Sequence, residues 1–321
     1  MPGIRVGLAR SYTATVRAVG GSVPDVRIVS LLPSATEMLF ALGAGDDVVG
    51  VTFECDSPSE ARTRRIVSTS ALPEGLAPAE IDAVVAARMA AGEDLYRLDE
   101  GALAGLDADL VVTQDLCAVC AVDVSVVDDA LAHLGCSAEV LTLDPQDLGE
   151  VLDSVTALGV AVGRAEEAVE LQRRLRERLA AVGRAVEGRR HVPTAVLEWT
   201  DPPFAPGHWV PDMVETAGGR CVLGEGGTRS VRTTWEAVAA AAPEVVVSAP
   251  CGYGLADSVR LAEQVVAAGR LPRGVPVWAV DANASFARPG PRLVDGVEVL
   301  TAVLHPDAGL PLDARLARRV V

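Results

Sequence analysis

A short apolar strand that turns directly into a helix is the feature that most limits the fold of this sequence. Residues 27–37, RIVSLLPSATE, place four apolar residues around Ser30, a pattern typical of a buried strand. Ser34, followed three residues later by Glu37, predicts a capping box that opens a helix ending at Gly43. Open α/β proteins bind ligands where helix N-termini meet the carboxyl edge of a sheet, so Ser34 is a candidate ligand contact. The alternative is an ordinary βα turn.

A second stretch of the same kind follows the apolar strand TAVLEWT, residues 194–200. It leads through the turn APGHW into a helix predicted from Pro211 to Thr216, closed by a glycine pair. The turn contains His208 and Trp209, in a chain of which only 3% is aromatic. These two side chains predict a contact surface for a ligand, or an acid/base role for His208 beside Glu198 or Asp201 in an enzyme; the third interpretation is a cap for the following helix.

Strands and helices alternate through most of the remaining chain, which predicts parallel sheets covered by helices. The pattern predicts further strands at 47–53, 108–113, 137–143 and 275–280, and helices at 79–91 and 126–134.

One long amphipathic helix interrupts this alternation at residues 163–189, where apolar side chains recur every three or four positions. On either side of it the chain repeats, because residues 100–113 align with residues 235–248 as a short helix leading into a buried strand. The sequence thus predicts an α/β fold of two similar lobes joined by one long helix. The predicted boundaries are a leader or edge segment (1–25), a first lobe (26–150), a connecting region (151–191) and a second lobe (192–321).

Composition limits the classes of partner. The net charge of −16 argues against nucleic acid and anionic membranes, and no stretch of 18 apolar residues predicts a membrane span. No signal peptide is recognised at the N-terminus, which predicts a cytoplasmic location as written, or an extracytoplasmic one if the start codon is misassigned.

Four segments together resemble a known family: residues 27–37, 50–58, 207–219 and 287–300. They are similar to helical-backbone solute-binding proteins, which serve ABC transporters for cobalamin, haem and siderophores, and in particular to the cobalamin-binding branch. The resemblance implies two Rossmann-like lobes, a ligand cleft between them, and cobalamin or another corrinoid or tetrapyrrole-like ligand. It also implies docking to a permease through an acidic residue on each lobe, for which Glu236 and Glu100 are the candidates. The sequence departs from the branch at Phe53, where a histidine is expected.

Loops at the carboxyl ends of the strands supply the candidate ligand-binding residues. These are Ser34, Cys55, Trp199, His208, Trp209, Tyr253, Phe286 and Arg288.

The cysteines allow a second interpretation. Cys117 and Cys120 form a C-x-x-C pair at a βα turn, and Cys55 and His208 lie on loops that can converge with it. Such a set predicts a zinc or iron–sulfur site or a redox pair, with simple packing of small side chains as the alternative. A binding protein is therefore the favoured function, and the alternative is a cytoplasmic enzyme on the same fold that uses this Cys/His site.

Overall fold

The computed structural model describes residues 26–91, 93, 95–98, 101–114 and 138–321. The leader segment, the helix predicted at 126–134, Glu100, Cys117 and Cys120 lie outside these residues.

The first half of the chain forms a five-stranded parallel sheet and a separate two-stranded antiparallel pair. The sheet order is β3-β2-β1-β6-β7, and β4 pairs with β5. The strands are β1 (Ile28–Ser30), β2 (Val48–Val51), β3 (Arg65–Ile66), β4 (Ser68–Ser70), β5 (Tyr96–Leu98), β6 (Leu110–Thr113) and β7 (Glu139–Thr142). Val29 and Val111 face one side of the sheet, whereas Ile28 and Val112 face the other, so apolar cores lie on both faces.

The second half repeats this design with a sheet in the order β11-β8-β13-β14-β15, parallel except for β15. A small antiparallel sheet, β12-β10-β9, begins directly after β8 in the chain. The strands are β8 (Val192–Leu197), β9 (Trp199–Thr200), β10 (Pro203–Ala205), β11 (Gly219–Cys221), β12 (Val231–Arg232), β13 (Val245–Ser248), β14 (Val277–Val280) and β15 (Ala317–Arg319).

Nine α-helices are described. They are α1 (Pro33–Ala41), α2 (Pro78–Ala91), α3 (Leu148–Ala161), α4 (Ala165–Val186), α5 (Val210–Thr216), α6 (Trp235–Ala240), α7 (Leu255–Ala267), α8 (Ala282–Ser285) and α9 (Leu293–Leu304). The α/β fold with two parallel sheets is thus confirmed.

The internal repeat is visible in β6 and β13, which lie beside β1 and β8, the first strands along the chain in their sheets. Their first residues, Leu110 and Val245, differ by 245 − 110 = 135 positions. The helix predicted before β6 is wrong over 101–105, which form a turn instead. Gly101 and Gly105 both take positive φ values, +71° and +70°, and such residues interrupt a right-handed helix.

The predicted capping box at Ser34 is also wrong. Helix α1 begins at Pro33, and Leu32 is its N-cap without a side-chain hydrogen bond. Proline is well suited to the first helical position because its φ is already helical and its missing N–H would have no partner there. Ser34 is therefore inside the helix and fully buried. Glu37 is free of any capping role and turns towards the second lobe.

The long helix α4 packs against α3 and α9 through one apolar side, on which Ala168, Leu171, Leu175 and Val182 are buried. It is shorter at each end than predicted. Arg178, at the edge of the same side, forms ion pairs with Asp295 and Glu298 of α9, at 2.6 and 2.7 Å. These contacts fix α4 against the second lobe.

Candidate functional site

An arginine of the second lobe is bound by acidic groups of the first. Arg288, in the loop between α8 and α9, donates to the carboxylate of Asp56 at 2.5 Å and to the backbone oxygen of Glu54 at 3.0 Å. It also lies 3.5 Å from a carboxylate oxygen of Glu37, which is bound in addition by Arg292. The side chains of Glu37 and Arg288 are only 6% and 12% exposed. We call Glu37, Asp56, Arg288 and Arg292 the inter-lobe charge cluster.

This cluster lies where loops from the two sheets meet. Asp56 follows β2, and Arg288 follows the strand β14 and the short helix α8. Gly290 passes over α1 so closely that a Cβ atom there would lie 3.4 Å from the Cβ of Ser34. The hydroxyl of Ser34 is buried without a hydrogen-bond partner in the part of the chain that the structure describes. Ser34 and the loop that contains Arg288 thus meet at a contact between the lobes, and their binding of a ligand stays a prediction.

Two aromatic side chains stack at the carboxyl edge of the second sheet. The rings of Trp199 and Tyr253 lie 5.6 Å apart, after β8 and β13 respectively, and both are partly exposed. The indole N–H of Trp199 donates to the backbone oxygen of Asp201 at 3.1 Å and to that of Pro78, in the first lobe, at 3.2 Å. The two rings are tilted by 41° to each other, and the pair lies where the second lobe meets Pro78 of the first.

A second aromatic pair stands on the first lobe and is absent from the residues predicted to bind ligand. The rings of Phe53 and Tyr96 lie 5.8 Å apart, and the Tyr96 hydroxyl donates to the Glu54 carboxylate at 2.7 Å. In the sequence, Phe53 stands out only as a departure from a family pattern. Its place directly after a buried strand is the signal that it lies at the same edge as Asp56.

His208 and Trp209 take different positions. His208 has a positive φ of +47°, and its backbone N–H and oxygen pair with Thr228 and Gly227 at 2.6 and 3.1 Å. Burial lowers the pKa of its imidazole, and the charge of Arg229 lowers it further. Its Nε2 atom is buried, with no hydrogen-bond partner among the described residues.

Trp209 belongs to the core of the second lobe. It is 6% exposed, and its indole N–H donates to the backbone oxygen of Phe286 at 2.7 Å. Phe286 is itself buried in the same core. The pair connects the turn before α5 with the loop that carries Arg288, and in this arrangement neither ring presents a face to the cleft.

Cys55 points into the first lobe. Its sulfur lies 3.1 Å from the hydroxyls of both Thr36 and Thr52, and burial raises the pKa of the thiol. Across the described residues, no three His, Cys, Asp or Glu side chains are arranged to hold a metal ion. Since Cys117 and Cys120 lie outside those residues, the metal site that includes them with Cys55 and His208 stays a prediction.

The two acidic residues on either side of Cys55 have opposite pKa shifts. Burial raises the pKa of Glu54, against the smaller opposing effects of the Tyr96 hydrogen bond and the Arg288 charge. Burial also acts to raise the pKa of Asp56, but the hydrogen bond and charge of Arg288 outweigh it and the pKa is lowered. The folded protein therefore stabilises the protonated form of Glu54 and the ionised form of Asp56, relative to the unfolded chain.

Opposite pH dependences of stability are expected from these shifts. The contribution of Glu54 is fully present below its unfolded pKa, near 4.5, and is lost as the pH rises through the higher folded value. The contribution of Asp56 is present above about 3.8 and is lost as the pH falls through its lower folded value. At pH 7 we therefore expect Glu54→Gln to be at least as stable as the parent and Asp56→Asn to be less stable. Urea unfolding from pH 3 to pH 8 measures both, and a Glu54→Gln protein that is clearly less stable at pH 7 would contradict the assignment.

Comparison with known proteins identifies the class. The family described as periplasmic binding protein matches residues 28–268. A Bacillus subtilis (strain 168) protein, the uncharacterized ABC transporter substrate-binding lipoprotein YvrC, is 26% identical over 289 residues, covering 88% of this chain and 80% of that protein.

Solved structures share the fold. A periplasmic heme-binding protein from Pseudomonas aeruginosa is 20% identical and superposes with a TM-score of 0.66, covering 91% of this chain and 97% of its own. The periplasmic vitamin B12-binding protein BtuF of Vibrio cholerae is 20% identical with a TM-score of 0.61, covering 87% and 96%. At such identities the likeness shows the fold alone.

The molecule is thus a solute-binding protein of the kind that serves ABC transporters. The chain belongs to the periplasmic binding protein family, and this membership implies a small-molecule ligand and a permease partner. The cytoplasmic location predicted from the sequence is wrong, because the family is periplasmic and the B. subtilis relative is a lipoprotein. Among the described residues, no helix combines the length and apolar character needed to cross a membrane.

Proposed function

We propose that this protein binds a corrinoid, cobalamin or a close relative, between its two lobes and presents it to an ABC permease. The observation that carries the proposal is the set of partly exposed aromatic side chains at the cleft, Trp199 with Tyr253 on one lobe and Phe53 on the other. Aromatic faces bury large flat apolar surfaces well. In a chain that is only 3% aromatic, three such side chains on the two sides of one gap favour a large planar ligand.

The charges of the cleft favour a corrinoid over an anionic tetrapyrrole. Arg288 is already paired with Asp56 and Glu37, and its neighbour Glu54 adds a further carboxyl group. The chain as a whole has a net charge of −16. A ligand such as haem, which has two carboxylates, would have to find a cation there, whereas the amide side chains around a corrin ring need only hydrogen bonds.

Ligand titration tests the proposal. Cyanocobalamin, haemin and a ferric hydroxamate siderophore are added in turn to the folded protein, and binding is followed by calorimetry and absorbance. We expect cyanocobalamin to bind most tightly. No cyanocobalamin binding at several hundred micromolar, or clearly tighter binding of haemin, would overturn the ligand assignment.

Trp199 is expected to provide a large part of the affinity. Trp199→Ala removes one aromatic wall and should weaken cyanocobalamin binding by on the order of 1–3 kcal/mol, the scale of a buried aromatic contact. Trp199→Phe retains a ring and should restore most of the loss. Trp235→Phe is the matched control, because Trp235 begins α6 and packs against a core on the same lobe. Equal cyanocobalamin affinities for Trp199→Ala and the parent protein would show that the Trp199 ring does not contact the bound ligand.

His208 is proposed as a further ligand contact, since its Nε2 atom lacks a partner among the described residues.

Docking to the permease is proposed through Glu236, which is exposed in the first turn of α6, and through Glu100 on the first lobe. Loss of transport in a Glu236→Ala protein that still binds ligand is the expected result.

A further inference from the structure

Helix α2 is held apart from the main sheet of its lobe. It lies between β4 and β5, which pair only with each other, so the helix extends from a two-stranded antiparallel stem. None of its fourteen residues is buried. Val85 is only partly buried against the core beneath. Little apolar surface therefore fixes the helix to its own lobe, and elements of this kind open with a small free-energy cost.

Among the described residues, two polar contacts connect α2 to the opposite lobe. Arg232 of β12 donates to the carboxylate of Asp82 at 2.6 Å, and the Trp199 indole donates to the backbone oxygen of Pro78 at 3.2 Å. The guanidinium of Arg232 also lies over the ring of Phe204, 5.8 Å from its centre. Both contacts are made by the first five residues of α2, so this end of the helix meets the second lobe.

We propose that α2 is a gate over the ligand cleft, held shut by the Asp82–Arg232 ion pair and by the Pro78–Trp199 hydrogen bond. This inference rests on the proposed function, in which the ligand binds between the lobes against Trp199. A ligand that stacks on Trp199 must pass α2, and the helix can lift on its stem without any change in the lobes.

The gate and the inter-lobe charge cluster have different strengths. The side chains of Glu37 and Arg288 are nearly buried, so separating the lobes there would leave charges unpaired in a poorly solvated place. The Arg232 side chain is 54% exposed and that of Asp82 is 15% exposed, so water reaches this pair from the arginine side, and the pair is weaker and more sensitive to salt than the cluster. Opening at α2 is therefore the easier of the two motions.

Amide hydrogen exchange tests the motion without any ligand. In Asp82→Asn and Arg232→Gln we expect the amides of residues 78–91 to exchange about two- to fivefold faster than in the parent, the range of a weak exposed ion pair. High salt should have the same effect on the parent protein. The control is Arg190→Gln, which breaks an exposed pair of the same 2.7 Å length, with Glu244, within the second lobe. Unchanged exchange at 78–91 in both gate variants would overturn the proposal.

Cyanocobalamin kinetics test the gating itself. In the same two variants we expect the association and dissociation rates both to rise about two- to fivefold, while the dissociation constant changes less than either rate. Faster exchange with unchanged binding rates would mean that α2 moves but does not control entry, and would overturn the gate. Failure of the parent protein to bind cyanocobalamin would instead overturn the proposed function, and the exchange result would still decide whether α2 opens by itself.

Discussion

Replacing Glu37 with glutamine is expected to lower the free energy of unfolding by about 3–5 kcal/mol at neutral pH. The carboxylate of Glu37 is 6% exposed and is shared by the guanidinium groups of Arg288 and Arg292. Glutamine has nearly the same shape, so the loss comes from two cations left with less compensating charge, of which Arg288 is nearly buried and Arg292 is partly exposed. Urea unfolding at pH 7 measures the difference.

The control for this prediction is Glu244→Gln. Glu244 also accepts two hydrogen bonds from one arginine, Arg190, but the pair is exposed on the surface of the second lobe. Its loss should change stability far less, because water replaces the lost partner. Similar effects for the two variants would show that burial does not strengthen the inter-lobe charge cluster.

Replacing Trp209 with alanine is expected to cost about 3–5 kcal/mol of stability, the scale of a large buried aromatic residue removed from a core. The indole fills the core between α5 and the loop after α8, and its N–H satisfies the backbone oxygen of Phe286. Because this variant risks not folding, Trp209→Phe is the companion. It retains a ring and loses the hydrogen bond, which should cost about 1–3 kcal/mol.

These variants separate a structural role from a ligand-binding one. We expect Trp209→Phe to be less stable than the parent and to bind cyanocobalamin about as well. We expect Trp199→Ala to be about as stable as the parent and to bind cyanocobalamin less tightly. A stable Trp209→Phe protein with at least tenfold weaker binding would restore Trp209 as a ligand wall. Thermal unfolding and calorimetry on the same samples provide both measurements.

The periodicity of the sequence is sufficient to predict the fold. Buried parallel strands such as β6 and β13 are runs of consecutive apolar residues, and their repeat at an offset of 135 can be read directly from the amino-acid sequence. Local rules fail where a long-range contact competes with them. Ser34 and Glu37 have the spacing of a capping box, but Glu37 is bound by arginines more than 250 positions away, at 288 and 292. No local pattern indicates such a partner.

The candidate site shows the same limit. The sequence pattern places Trp199, His208, Trp209 and Tyr253 on loops at the correct edge of the sheet, but loop membership does not decide whether a side chain faces a cleft or a core. Trp209 faces the core because a helix begins directly after it and positions it over Phe286. Cys55 turns inward because Thr36 and Thr52 offer hydroxyls there. Thr52 lies only three residues from Cys55, so the sequence near Cys55 already contains one of the two hydroxyl groups that its sulfur contacts.

Among the described residues, the strands of the first sheet all precede α4 and those of the second sheet all follow it. Each wall of the cleft is therefore encoded by one uninterrupted stretch of gene. A single recombination event within the codons of α4 exchanges one whole wall, with its aromatic pair and its charges, and leaves the other intact. Ligand preference in such a chain can change in one genetic step, provided that the new wall retains the partners of Glu37 or Arg288 that join it to the old one.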